Sequence, residues 1–448
     1  MTRGTLNPTR SFAVIAGVIV LYLIEALWLG TWNTTLNMVN YSLIAAIIAL
    51  GINIQWGYAG LFSVGTVGFV GLGGLAPVLT SSAPRPENFA AGGWQIIGAL
   101  ILGVAAVALA IAVNRKTTGR VRTIATLAVL VGGFFAYRAV FDPAVMRVEA
   151  INPENAGNIG GLGLDSILGL HVGVLIAWPL GALMAAAAAW VIGKTALGLR
   201  SDYLAIATLG ISEILLAAIR NEDWLARGVK NLTNIPRPVP YEVDLQRSAD
   251  WASWADAVGT DPITLSTILV KLCWAALFTA VLLALIWLSQ RAINSPWGRM
   301  MRAIRDNEVA AEAMGKNVTG RHLQVFVLGS AICGLAGAML VTFEGQITPG
   351  AYNPLRYTFL IWVMVIVGGS GNNWGSVVGA FLLWWVWIKA EAFGPDFVGW
   401  ATSFMADGAL KDHLMENAVH ARLMALGGTA ALTQALLALL ECGQHEQK

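Results

Sequence analysis

Charge is scarce in this chain. Only 12% of its 448 residues are Asp, Glu, Lys or Arg, while 56% are apolar and the mean hydropathy is +0.66. Water-soluble domains carry about 25% charged residues, so a soluble globule is excluded and the chain belongs in a bilayer. Cysteine is scarce as well. Cys273, Cys333 and Cys442 form no CxxC pair, which argues against a disulfide framework or a cysteine metal site. The five histidines make no HExxH pairing, and a net charge of +2 gives no reason to expect a nucleic-acid partner. Strand-type alternation of apolar and polar residues is also missing. Runs such as 101–113 are apolar all round, which excludes a β-barrel and leaves membrane helices.

Nucleotide chemistry is absent too. Gly193-Lys194-Thr195 suggests a phosphate loop, but the position five residues before Gly193 is Ala188, within a run of alanines closing a span. The Gly-rich stretch 157–163 lacks the strand–turn–helix setting of a dinucleotide site. Nothing in the sequence hydrolyses ATP or builds a catalytic constellation, so an enzyme is not expected and no cofactor is expected on this chain.

What the chain has in abundance is helices long enough to cross a membrane, about 17–25 residues each. Candidate spans fall at 12–30, 36–54, 57–79, 95–113, 121–141, 171–193, 203–219, 264–288, 323–343, 358–369, 375–390 and 418–440. The expected fold is therefore an all-α polytopic membrane bundle of about ten to twelve spans, some short or broken, forming a single transmembrane domain over residues 1–448. The first apolar run has no convincing small-residue cleavage site and is interrupted by Glu25, so it reads as an uncleaved span. Many of the 18 tryptophans lie near span ends, where they anchor at the membrane interface.

Charge in the short loops gives the orientation. Residues 114–122 carry Arg115, Lys116, Arg120 and Arg122, and 193–202 carry Lys194 and Arg200. Residues 291–322 carry Arg291, Arg299, Arg302, Arg305, Lys316 and Arg321. The positive-inside rule puts all three loops, and the N-terminus, in the cytoplasm. The same count leaves 142–170, 220–262 and 391–417 outside, where acids are frequent.

Three features carry functional information. The 291–322 loop is a basic, Ala-rich, helix-favouring stretch between membrane segments, suited either to topology or to being gripped by a cytoplasmic partner. Ionisable residues in or near the spans are Glu25, Glu213, Lys271, Glu344, Lys389 and Glu391. Glu213 alone lies well inside its span, and it reads either as a structural hydrogen-bonding group or as a lining of a polar pathway. Finally, 56–71 and 367–381 are rich in Gly and Ser. Such stretches serve close helix packing or mark breaks where backbone faces a polar path, and their likeness is compatible with an internal repeat.

Four ordered stretches make the chain resemble the membrane permease subunits of branched-chain amino acid ABC importers. They are Asn53-Ile-Gln-Trp-Gly-Tyr-Ala-Gly-Leu-Phe-Ser-Val-Gly65, Leu199-Arg-Ser-Asp-Tyr-Leu-Ala-Ile-Ala-Thr-Leu-Gly-Ile-Ser-Glu213, the loop from Ser295 to Gly315, and Val367-Gly-Gly-Ser-Gly-Asn-Asn-Trp-Gly375. The resemblance implies a bacterial inner-membrane permease paired with a second permease subunit. Two cytoplasmic ATPase subunits carrying ATP and Mg would drive it, and a periplasmic binding protein would feed it. It also implies that 291–322 is the ATPase-coupling loop, with Arg302, Arg305, Glu308, Ala311, Glu312, Ala313 and Gly315 at its core. Broken-helix reasoning adds Gly57, Tyr58, Gly60, Ser63, Gly65, Tyr203, Thr208 and Glu213 as the translocation pathway. The chain departs from the family at Leu61-Phe62-Ser63-Val64-Gly65-Thr66, where a more polar Gln and His are usual. A self-contained, ion-coupled carrier of a small polar solute is the alternative.

Overall fold

The computed structural model describes residues 8–151, 158–164, 172–198 and 201–403. The expected span at 418–440 lies outside the described residues. The chain divides into two compact units, 1–380 and 381–448. Within the described residues the second unit is the distal length of the last helix, and the first holds every other element.

The apolar runs form helices as their composition dictates. In chain order they are α1 (Pro8–Ile24), α2 (Trp32–Ile52), α3 (Thr66–Ser81), α4 (Trp94–Lys116), α5 (Gly119–Ile151), α6 (Val172–Ala196) and α7 (Ser201–Asn221). Then come α8 (Pro262–Asn294), α9 (Pro296–Asp306), α10 (Glu308–Ala313), α11 (Val318–Glu344), α12 (Pro354–Gly368) and α13 (Asn373–Ser403). Seven described helical stretches are long and apolar enough to cross a membrane, and three shorter apolar helices join them (Ala13–Trp28, Thr66–Ser81, Pro354–Gly368). The protein is an all-α polytopic membrane protein.

Local chemistry sets the helix starts. Thr31 caps α2 reciprocally: its Oγ1 accepts from the Thr34 backbone N–H at 3.2 Å, while the Thr34 hydroxyl accepts from the Thr31 N–H at 3.0 Å. Asp261 caps α8, Asn307 caps α10 and Asn353 caps α12 through their side-chain oxygens. Some boundaries differ from expectation: the span expected at 375–390 is part of a helix that runs on to Ser403, into residues expected to form an outside loop. The span expected to end at 141 continues to Ile151, because Phe141, Ala144 and Val148 keep helical spacing and bury with Trp224, Ile96 and Ala99 in one cluster.

Helix α11 is the centre of the first unit and packs against α6, α3 and α2. Contact is close because glycines face one another. A Cβ built on Gly73 of α3 would lie 2.0 Å from the Gly334 carbonyl oxygen of α11. Bilayer helices have little hydrophobic drive to associate with one another, so backbone approach through small residues is what holds them. Some polar side chains inside the bundle pair across helices: Gln55 Nε2 donates to the Phe326 carbonyl at 3.0 Å and Trp178 Nε1 to Thr342 Oγ1 at 3.1 Å. Two of the intramembrane charges are accounted for in the same way. Lys271 Nζ donates to the Asn33 carbonyl at 3.1 Å, and Glu344 accepts from the Tyr41 hydroxyl at 3.3 Å.

The two ends of the bundle differ. At one end β1 (Leu232–Thr233) pairs antiparallel with β2 (Gln346–Ile347), and Arg220 reaches over to the carbonyls of Pro349 and Tyr352. The segment between α7 and α8 folds here, with short helices at Asp223–Ala226, Glu242–Gln246 and Ala249–Val258. At the opposite end lie α9, α10 and two interruptions of the helical backbone.

A junction of two helix breaks and an exposed coupling segment

Both Gly-rich stretches are broken helices. Helix α2 loosens into a π-helical turn, Asn53–Tyr58, and the chain then runs non-helically until Thr66 starts α3. The span expected over 57–79 is therefore a helix only from Thr66. The physical cause is at Gly60, whose φ of +75° is a left-handed conformation that a helix cannot pass through and that side chains resist. The second break separates α12 from α13 at residues 369–372, with Gly369 and Gly371 at φ +91° and +81°.

Folding brings the two breaks together. The Asn53 side chain spans them: its Nδ2 donates to Asn373 Oδ1 at 2.9 Å, and its Oδ1 accepts from the Gly371 backbone N–H at 2.8 Å. Both asparagines are fully buried. A Cβ on Gly57 would sit 2.5 Å from the Gly371 nitrogen, so the breaks touch backbone to backbone.

The non-helical link 59–65 is held from two further sides. Thr208 of α7 accepts from the Val64 backbone N–H at 3.0 Å, and its carbonyl leaves no room for a side chain at Gly65, where a Cβ would lie 2.6 Å away. Trp362 of α12 donates through Nε1 to the Ser63 carbonyl at 3.1 Å and packs at a tilt against Trp56 and Phe62, with ring centroids 4.7 and 4.5 Å away. Gly57, Ser63, Gly65 and Thr208 are buried, Tyr58 is half-buried, and Gly60 is exposed. The pathway residues named from sequence thus fall into two sets. Gly57, Tyr58, Gly60, Ser63, Gly65 and Thr208 gather at this junction. Tyr203 and Glu213 stand on the open face of α7, with Ile206, Gly210 and Ile214. Glu213 has no hydrogen bond or ion pair with another described residue.

The segment after α8 is amphipathic. Helix α9 buries Gly298, Met301 and Ile304 against the bundle. Its two named arginines turn to their own chain: Arg302 points at the carbonyls of Gly298 and Ile293, and Arg305 donates to the Gly57 carbonyl and pairs with Asp306 at 3.3 Å. The residues beyond face outward. Glu308, Glu312, Ala313 and Gly315 are exposed and Ala311 is half-buried. Val309 of α10 and Met314 just after it are 76% and 80% exposed, two large apolar side chains at a helix that also displays Glu308 and Glu312. Gly315, at φ +74°, ends the segment. Sequence reading missed Val309, Met314, Asn53, Trp362 and Asn373. Val309 and Met314 offered a signal as apolar residues inside an otherwise polar loop, and Asn53 and Asn373 lay within the stretches that carry the resemblance.

The described residues thus form a bundle of membrane helices, two of them broken and joined beneath an exposed helical loop. Residues 146–395 match the family described as "Branched-chain amino acid transport system / permease component", and the chain belongs to that family. It is 30% identical over 210 residues to the high-affinity branched-chain amino acid transport system permease protein LivM of Escherichia coli (strain K12), covering 46% of this chain and 48% of the relative. It is 27% identical over 255 residues to a probable branched-chain amino acid transport permease LivM of Methanocaldococcus jannaschii, covering 55% of this chain and 61% of the relative. A fructose import permease, FrcC of Rhizobium meliloti, is 29% identical over 129 residues, covering 27% of this chain and 36% of the relative. The chain spans about half the length of the curated relatives it matches most extensively. No solved structure matches it. Among the described residues no group of three or more His, Cys, Asp or Glu could hold a metal.

Proposed function

We propose that this chain is the permease subunit of an ATP-driven importer for branched-chain or related amino acids in the bacterial inner membrane. In this reading the N-terminus and the 291–322 loop face the cytoplasm. The segments 142–170 and 220–262 face outward, toward a binding protein that delivers substrate. ATP and Mg reside on two separate ATPase subunits.

The observation that carries the reading is the contrast along 296–315. Helix α9 is packed into the bundle while α10 stands clear of it, displaying Val309, Met314, Glu308 and Glu312. Exposed apolar anchors ringed by charge suit a groove on a partner, the charges fixing register and the apolar side chains supplying burial. Segment 308–315 is therefore assigned as the ATPase-docking surface.

Glu213 supports a second permease subunit. A carboxylate midway along an apolar span costs about 2.5–3.5 kcal/mol when it faces lipid. The open face of α7, with Tyr203, Gly210 and Glu213, is thus assigned to a partner permease, the two together enclosing a polar pathway.

The test is uptake of radiolabelled leucine into membrane vesicles carrying the chain with its native partners. Uptake blocked by vanadate and insensitive to a protonophore supports the reading. Uptake abolished by a protonophore, untouched by vanadate and lost on Glu213→Gln would establish the ion-coupled carrier instead.

A further inference from the structure

The geometry points to Arg305 as the residue that transmits movement of the coupling segment to both helix breaks, rather than as a docking charge. The inference rests on the importer reading above.

After the π-helical turn the chain leaves helical geometry: Gly60 N–H still makes the helical bond to the Trp56 carbonyl, but Leu61 N–H, which would bond the Gly57 carbonyl in a continuing helix, bonds the Gln55 carbonyl instead. The Gly57 carbonyl receives the Arg305 guanidinium. Inside a membrane protein an unmet carbonyl is costly, so this guanidinium completes the break. Arg305 also packs along the chain it bonds. A Cβ on Gly60 would lie 3.2 Å from Arg305 Cγ, and a Cβ on Gly371 would lie 3.4 Å from Arg305 Nη1. Arg305 therefore touches the first break at two residues and the second at one.

From there the connection continues through Asn53, which holds Gly371 and Asn373. On its other side Arg305 belongs to α9, one residue before Asp306 and three before the outward-facing Glu308. One side chain thus joins the docking segment to the junction of α2, α12 and α13. A shift of α9 by a bound ATPase has to move the Gly57 carbonyl or break this bond. Arg305 is a positioning residue, acting through the backbone of the breaks.

The experiment uses the assembled transporter in proteoliposomes, with Arg305→Gln, Arg305→Lys and Glu312→Arg. Three quantities are read: ATPase subunits co-purifying with the chain, ATP hydrolysed, and leucine taken up. Losing a charge-assisted hydrogen bond is expected to lower uptake by roughly tenfold or more in Arg305→Gln. Partner recovery and hydrolysis stay near wild type, so the ATP spent per leucine rises by the same factor. Arg305→Lys keeps one donor and recovers part of the coupling, while Glu312→Arg loses the partners.

Three results would overturn the inference. They are loss of the ATPase subunits from Arg305→Gln, unchanged ATP per leucine, or hydrolysis and uptake falling together with a lowered unfolding temperature. If the wild-type chain holds no ATPase, the importer reading falls and this inference with it. If the wild type is ATP-coupled and Arg305→Gln remains equally coupled, only this inference falls.

Discussion

Asn53→Ala removes a side chain that hydrogen-bonds across both breaks. Two hydrogen bonds go, at 2.9 and 2.8 Å, leaving the Gly371 N–H and Asn373 Oδ1 without those partners in a site where both asparagines are 0% exposed. Two magnitudes compete. Hydrogen bonds between membrane helices average only about 0.6 kcal/mol in mutant cycles, because freed groups find other partners. Orphaning a buried polar group costs about 1–3 kcal/mol. The second regime should win here, since Gly371 lies in a left-handed turn (φ +81°) and has no helical carbonyl to fall back on. Asn53→Ala is therefore expected to destabilise the chain by about 2–4 kcal/mol, and Asn373→Ala, which spares the Gly371 bond, by roughly 1 kcal/mol less. Denaturant unfolding in mild detergent micelles, with the double variant closing the cycle, measures both. A loss below about 0.5 kcal/mol for Asn53→Ala, or equal losses for the two singles, would refute the bridging role.

Other consequences come from the same packing. Gly73→Ala puts a methyl 2.0 Å from the Gly334 carbonyl, so α3 and α11 must part; a loss of about 1–3 kcal/mol or more is expected, read as a lowered unfolding temperature. Thr208→Val keeps the shape but removes the acceptor for the Val64 N–H. It should cost about 1–3 kcal/mol, with Thr208→Ser close to wild type in the same assay. Glu213→Gln, at an exposed site without a partner among the described residues, should leave the isolated chain's stability within about 0.5 kcal/mol. In the complex, Glu213→Leu should reduce uptake if the open face of α7 lines the pathway, a comparison that vesicle transport makes directly.

Much of the fold was legible from sequence because bilayer physics is strict. Uninterrupted apolar runs became helices, although those expected to end at 141 and 390 run on to Ile151 and Ser403, and the Gly-rich stretches at 56–71 and 367–381 contain the breaks. Legibility failed where the outcome depends on distant partners. Nothing in the composition of Asn53 or Asn373 says that residues 320 positions apart meet. Arg302 and Arg305 read as partner-facing charges because loop arginines usually are solvated, yet the Gly57 carbonyl needed a donor and Arg305 supplied it. The end of α5 was set too early, since the spacing of Phe141, Ala144 and Val148 becomes informative only once Trp224 is known to cover it. Glu213 read first as a structural hydrogen-bonding group and second as a pathway lining, yet its exposed setting on α7 supplies no partner among the described residues.

The most direct test of the central claim is site-specific cross-linking from the exposed segment. A photoreactive residue at Met314, and another at Val309, would be introduced into the tagged chain in its native membrane, with every cross-linked protein identified by mass spectrometry. Cross-links from both positions to a P-loop ATPase, lost with Glu312→Arg, are the predicted result. A chain that cross-links to lipid or to nothing at both positions, where a control transporter captures its ATPase, would contradict the assignment of 308–315 as the docking surface.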